Sequence, residues 1–258
     1  MTADAPALEA RDITVQFGGL RALDNVSLSV PPQSIVGMIG PNGAGKTTLF
    51  GVLSGLLAPR AGRVFLDGSE VTRLSAATRA RKGLARTFQR LELFSELTVR
   101  EHLVLAYRVR MQRSNLFKDL AGFGHRPARG ERAEVDRILD LLDLRHLADV
   151  PVLVLPLGTG RLVELARAAA SKPKVLLLDE PSSGLDADET DRLVDVLRRL
   201  CAEEATAMVL VEHNVDMVLK LADHITVLDF GQVIATGAPE AIQTDATVQN
   251  AYLGTSLT

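Results

Sequence analysis

Cysteine is nearly absent from this 258-residue chain. The single Cys201 excludes an internal disulfide framework and leads us to expect a reducing compartment. An excess of one charge sign is also missing. The 29 Lys and Arg against 32 Asp and Glu give a formal net charge of −3, with the basic residues spread along the chain. No electrostatic footprint for wrapping nucleic acid results. Long hydrophobic runs are lacking too: the longest, residues 150–157, is far too short to cross a bilayer and contains Pro151 and Pro156. Residues 1–10 have neither a basic nor an apolar segment, so no secretory leader is expected. Work at a membrane would therefore need another chain to span it. What the sequence does have is 47% apolar residues, enough for one large α/β domain with an attached subdomain.

Ile13, Val15 and Phe17 alternate with polar neighbours, and residues 23–30 repeat the pattern. Both predict half-buried antiparallel strands forming a small β layer. Residues 34–39 read as a buried strand that runs into a glycine-rich turn, with a helix over 46–53. Further apolar runs at 84–88, 175–178, 207–211 and 225–228 are separated by helical patterns, as a mostly parallel, doubly wound sheet requires. Between 89 and 155 the strand signal disappears. Residues 99–111 and 131–144 carry helical periodicity there, around a Gly-, Arg- and Pro-containing stretch at 122–130, which predicts an inserted helical subdomain.

Gly40-Pro41-Asn42-Gly43-Ala44-Gly45-Lys46-Thr47 fits GxxxxGK[ST] between a predicted buried strand and a predicted helix. Glycines let consecutive backbone N–H groups turn inward onto phosphate oxygens, and the helix adds its positive dipole end. Asn42, Gly43, Ala44, Gly45, Lys46, Thr47 and Thr48 are thus the candidate nucleotide loop, with Lys46 for the β and γ phosphates and Thr47 for Mg²⁺. The strand at 175–178 ends in Asp179 and Glu180, where ligands of α/β sheets gather. Asp179 suits the Mg²⁺ shell and Glu180 suits polarising an attacking water, since phosphoryl transfer needs mainly positioning and charge stabilisation.

With these motifs in this order, the sequence resembles the ABC transporter ATPases over essentially its whole length. The resemblance implies an α/β P-loop NTPase fold with a RecA-like core, an antiparallel β subdomain and an inserted helical subdomain. The whole chain, 1–258, would be one such domain, with 1–88 and 161–258 as core and β subdomain and 89–160 as the helical part. It implies ATP and Mg²⁺ as cofactors. Gln89 resembles the Q-loop glutamine that touches the metal, or else a polar residue closing a strand. Ser183, Gly184, Leu185 and Asp186 resemble the D-loop that joins two subunits, or a turn before a helix near Asp188. His213 resembles the switch histidine on the γ-phosphate. Phe17 resembles the aromatic that stacks on adenine, although its alternation with Ile13 and Val15 also fits a core residue.

Within the family the wording is similar to the ATP-binding subunits of branched-chain amino acid importers. The stretches concerned are Phe17-Gly18-Gly19-Leu20, Leu93-Phe94-Ser95-Glu96-Leu97-Thr98-Val99, Val211-Glu212-His213-Asn214, Ala235-Thr236-Gly237-Ala238-Pro239-Glu240 and Ala251-Tyr252-Leu253-Gly254. The partners implied are a second copy or a related ABC ATPase in a homodimer or heterodimer, integral-membrane permeases and, indirectly, a solute-binding protein. No nucleic acid is implied. The implied location is peripheral, on the cytoplasmic face of the cell membrane, with Leu93, Phe94 and Leu97 as candidate permease contacts.

One segment departs from the family pattern. Where a Leu-Ser-Gly-Gly-Gln-like signature is expected, the chain has Leu155, Pro156, Leu157, Gly158 and Thr159, so proline replaces the serine and threonine the glutamine. Proline offers no hydrogen-bond donor. The departure keeps open an alternative, a nucleotide-sensing subunit with weak or no hydrolysis. A GTPase is disfavoured because no Asn-Lys-x-Asp segment occurs. A DNA-repair or translation ATPase is disfavoured because the interval from 89 to 155 is too short for long coiled-coil arms.

Overall fold

Ile35 and Ile39 face one apolar cluster while Val36 and Met38, on the same strand, face another. Strand period two therefore divides a continuous apolar run between two layers, as expected of a sheet covered on both sides. The computed structural model describes residues 5–87, 92–111 and 129–253. The chain opens with β1 (Leu8–Phe17), β2 (Leu20–Val30), β3 (Ile35–Ile39), α1 (Lys46–Ser54), β4 (Ala61–Leu66) and β5 (Ser69–Glu70). Next come α2 (Ala76–Arg81), β6 (Leu84–Arg86), α3 (Val99–Arg110), α4 (Arg129–Leu141), α5 (Leu157–Ala170) and β7 (Val175–Asp179). It continues through α6 (Ala187–Glu203), β8 (Ala207–Val211), α7 (Val215–Leu221), β9 (His224–Asp229), β10 (Gln232–Gly237), α8 (Pro239–Thr244) and α9 (Ala246–Leu253).

The main sheet has the order β10-β9-β3-β8-β7-β6. Its strands from β9 to β6 run parallel, and β10 closes one edge as an antiparallel hairpin partner of β9. The doubly wound core is thus present, with β10 as an antiparallel edge not read from the sequence. The β layer is a second sheet of order β2-β1-β4-β5. β1 and β2 were expected; β4 and β5 complete it. This layer and α1 share one cluster with Val175, Leu177, Val209 and Val211 on one face of the main sheet. The other face, through Leu176, Leu178, Met208 and Leu210, packs on the same cluster as α3, α4, α5, α6 and α7.

Helix ends follow local chemistry. Thr98 caps α3 and Asp186 caps α6, each in a capping box with a glutamate three residues on. The helix expected near Asp188 therefore begins at Ala187, and Asp186 belongs to its cap. The buried Arg79 donates to the carbonyls of Val52, Leu53, Thr72 and Leu74 at 2.6–3.1 Å. Two of these are near the C-terminal end of α1, where carbonyls lack helical partners and a cation complements the dipole.

Candidate nucleotide site

Loop 40–45 connects β3 to α1. Gly45 is the N-cap of α1 at φ 104°, and a Cβ there would stand 2.7 Å from Leu23 and 2.9 Å from the Ala22 carbonyl. Both the left-handed backbone and the close approach of β2 demand glycine. Gly231, in the β9–β10 turn, donates its N–H to the Ala44 carbonyl at 3.0 Å and braces the loop from the other side. Lys46 is buried, and its ammonium donates to the carbonyls of Gly40 (2.6 Å) and Pro41 (2.9 Å). Burial pushes its pKa below the ordinary lysine value, while the charge of Glu180 pulls it back up. Asn42, Gly43 and Thr47 are exposed, Thr48 is half-buried and Ala44 is buried.

Asp179 closes β7 and is buried, with its Oδ2 accepting from Arg86 Nη2 at 2.7 Å. Glu180 follows at φ 48°, a left-handed conformation that a non-glycine residue holds only where its surroundings enforce it. Here the Glu180 N–H donates to the carbonyl of Val211, the last residue of β8, at 2.9 Å. The neighbouring Glu212 reinforces the crossing. Its buried carboxylate accepts from the Ser182 N–H (2.7 Å) and from the His213 N–H (3.1 Å), lacing the turn after β7 to the turn after β8. His213 Nε2 comes to 2.8 Å from Glu180 Oε1. A carboxylate only accepts, so the ring nitrogen supplies the hydrogen.

The structure therefore brings Lys46, Asp179, Glu180 and His213 to the C-terminal ends of β3, β7 and β8. Gln89 lies outside the described residues. Phe17 ends β1 and is 52% exposed, whereas Ile13 and Val15 are buried, so it is not a core residue. Pro156, Leu157, Gly158 and Thr159 lie at the start of α5, against the loop of Ser183, Gly184 and Leu185 rather than in the lysine site. A Cβ on Gly184 would stand 2.8 Å from Leu157, and one on Gly158 would stand 2.2 Å from the Glu189 carboxylate. Pro156 is the N-cap of α5 and makes no side-chain cap bond. Sequence reasoning missed Glu212 and Arg86: both look like ordinary polar residues beside strands, and only strand adjacency reveals their partners.

As for a metal, Thr47 and Asp179 are hard oxygen donors, the set that Mg²⁺ takes when substrate phosphates complete its shell. Among the described residues no group of three or more His, Cys, Asp or Glu could hold a metal by itself.

A glycine-rich loop between strand and helix, an acidic strand end and a histidine against the second carboxylate are the parts expected of a nucleotide-hydrolysing P-loop domain. A family model described as ABC transporter matches residues 23–183, and one described as branched-chain amino acid ATP-binding cassette transporter matches residues 232–257. The chain is 40% identical to the high-affinity branched-chain amino acid transport ATP-binding protein BraF of Pseudomonas aeruginosa, covering 96% of this chain and 98% of that one. It is 37% identical to LivG of Escherichia coli, a protein of the same description, with the same coverage. It is also 32% identical to the lipopolysaccharide export system ATP-binding protein LptB of Haemophilus influenzae, over 96% of this chain and 97% of that one. The crystal structure of the ADP conformation of MJ1267, an ATP-binding cassette of an ABC transporter, matches with a TM-score of 0.84 and 31% identity, covering 96% of this chain and 99% of that one. The chain belongs to the ATP-binding subunits of ABC transporters, which are ATPases that power solute transport.

Proposed function

We propose that this chain is the ATP-hydrolysing subunit of an importer for branched-chain amino acids or chemically related solutes. The observation that carries the catalytic part is the 2.8 Å contact of His213 with Glu180 at the strand ends that also hold Lys46 and Asp179. In this reading the N–H groups of residues 42–48 and Lys46 bind the phosphates, and Thr47 and Asp179 hold Mg²⁺, joined by Gln89. Bound Mg²⁺ would neutralise charge on the phosphate oxygens. Glu180 orients and polarises the attacking water, and His213 fixes the Glu180 carboxylate and approaches the γ-phosphate. Phe17, half-exposed at the end of β1, offers a ring face to adenine.

The importer and its cargo class are supported by the relatives BraF and LivG and by the C-terminal family match at 232–257. The match to an export ATPase at lower identity reflects a shared motor. A nucleotide sensor is not favoured, because the near-full-length relatives are transport proteins and Glu180 and His213 are both in place. In the partner's ATP site, the start of α5 with Pro156 to Thr159 and the loop from Ser183 to Asp186 would complete the pocket, in a homodimer or a heterodimer. No described helix is long and apolar enough to cross a membrane. In this reading integral-membrane permeases are the partners of a peripheral motor on the cytoplasmic face.

A groove of about 630 Å³ fits permease docking. It is lined by Leu56, Arg86, Phe94, His102, Val109 and Arg110, with Leu56, Phe94 and Val109 exposed. Leu93 and Leu97, close to Phe94 in the chain, are half-buried. The test has two arms. Steady-state ATP hydrolysis by the purified chain should be abolished in Glu180→Gln, and Phe94→Ala should lose co-purification with co-expressed permeases. Hydrolysis that survives Glu180→Gln would refute the catalytic assignment, and undiminished assembly would refute the groove.

A further inference from the structure

Arg86 lies where three parts of the site meet. Its Nη2 donates to Asp179 Oδ2 at 2.7 Å, and its Nη1 donates to Ser54 Oγ at 3.1 Å. Its guanidinium carbon lies 5.7 Å from the centre of the Phe50 ring. Ser54 is the last residue of α1, the helix that starts at Lys46, so the guanidinium ties the far end of the phosphate-loop helix to the end of β7. The register Arg86↔Leu177 between β6 and β7 keeps this reach short. Arginine and aspartate side chains are 13% and 11% exposed, which strengthens their attraction and makes either costly to leave unpaired. The same arginine forms part of the groove wall.

We propose that Arg86 is a positioning residue for the metal-holding carboxylate: by engaging Oδ2 it fixes the plane of Asp179 and presents Oδ1 to the cation. A planar, two-armed donor anchored at Ser54 suits this role, because one arm restrains the carboxylate while the other is held by α1. The proposal rests on Asp179 as a Mg²⁺ ligand. It carries a distinctive sign. Removing a nearby positive charge would by itself tighten cation binding, so weaker binding reports lost positioning.

The experiment measures Mn²⁺ affinity of the chain–ADP complex by electron paramagnetic resonance, beside ADP affinity in EDTA, for wild type, Asp179→Asn and Arg86→Met. Arg86→Met is expected to bind Mn²⁺ about tenfold more weakly, the scale seen when supporting partners of metal ligands are removed, with ADP affinity in EDTA unchanged. Unchanged or tighter Mn²⁺ binding in Arg86→Met, with Asp179→Asn weakened, overturns the role of Arg86 alone. Unweakened Asp179→Asn overturns the assignment of Asp179 and the proposal with it. Should Arg86→Met fail to fold, Arg86→Lys replaces it, since lysine keeps the charge but loses the fork. About threefold weaker Mn²⁺ binding then supports the role, and unchanged binding overturns it.

Discussion

His213 Nε2 and Glu180 Oε1 are 2.8 Å apart although the residues follow different strands, β8 and β7. The contact is built rather than incidental, since the Glu180 N–H is bonded to Val211 and the buried Glu212 holds the backbone of both turns. Glu180→Gln keeps size and shape but removes the charge proposed to polarise water. Turnover should fall at least about a hundredfold, with ATP affinity held within about twofold. His213→Ala should also lower turnover with little change in ATP affinity. Phosphate release read beside fluorescent-nucleotide binding separates the two quantities.

Pro156 caps α5 without a side-chain bond and supplies no donor. Pro156→Ser adds both a cap and a hydroxyl that can reach a phosphate across a dimer. One charge-assisted hydrogen bond is worth about 1.5–3 kcal/mol, so turnover of the site that faces this segment should rise about tenfold or more. The comparison is best made with the second site silenced by Glu180→Gln in the same copy that carries Pro156→Ser, leaving Glu180 intact in its partner. An unchanged rate would mean that the N–H groups at the start of α5 suffice.

Arg79 is fully buried and satisfies four carbonyls, two of them near the end of the helix that begins at Lys46. Arg79→Ala should cost about 3 kcal/mol or more, because it orphans several buried acceptors at once. Lysine should rescue only part of this, having no planar fork. Denaturant melts of the three proteins give the ranking.

His102 is buried, with its Nδ1 3.0 Å from the Thr98 carbonyl and its Nε2 accepting the Phe94 N–H at 2.9 Å. That pairing is met by the neutral ring, and burial holds its pKa below the ordinary 6.5. The neutral form therefore contributes stability that is complete above pH 6.5 and is lost as pH falls below 6.5 through the lower folded value. The protection factor of the Phe94 amide should fall across that acidic window, and His102→Gln should flatten the dependence.

Much of the phosphate site was legible because loop 40–47 and the Asp179-Glu180 pair are contiguous in sequence and sit at strand ends that announce themselves as apolar runs. The half-exposed Phe17 was readable only as two alternatives, since strand alternation does not tell where a sheet stops being covered. β4 and β10 were missed for a related reason: each is a short strand that carries polar and glycine residues, so its pairing comes from tertiary contact rather than from its own pattern. Arg86 and Glu212 were invisible as functional residues because their partners, Asp179 and Ser182, are distant in sequence and adjacent only through β6, β7 and β8.

The strand that leads into the phosphate loop has no sequence neighbour in its own sheet. β3 pairs with β8 through Ile35 and Met208 and with β9 through Val36 and His224. A ribosome delivers β3 early and its two flanking strands near the end of synthesis, so the growing chain carries an unpaired apolar strand for most of translation. The loop after β3 is also braced late, by Gly231 in the turn after β9. A chain that stops short of that turn has its full phosphate-binding motif but only the brace from β2. Nucleotide binding would then depend on synthesis having passed that turn.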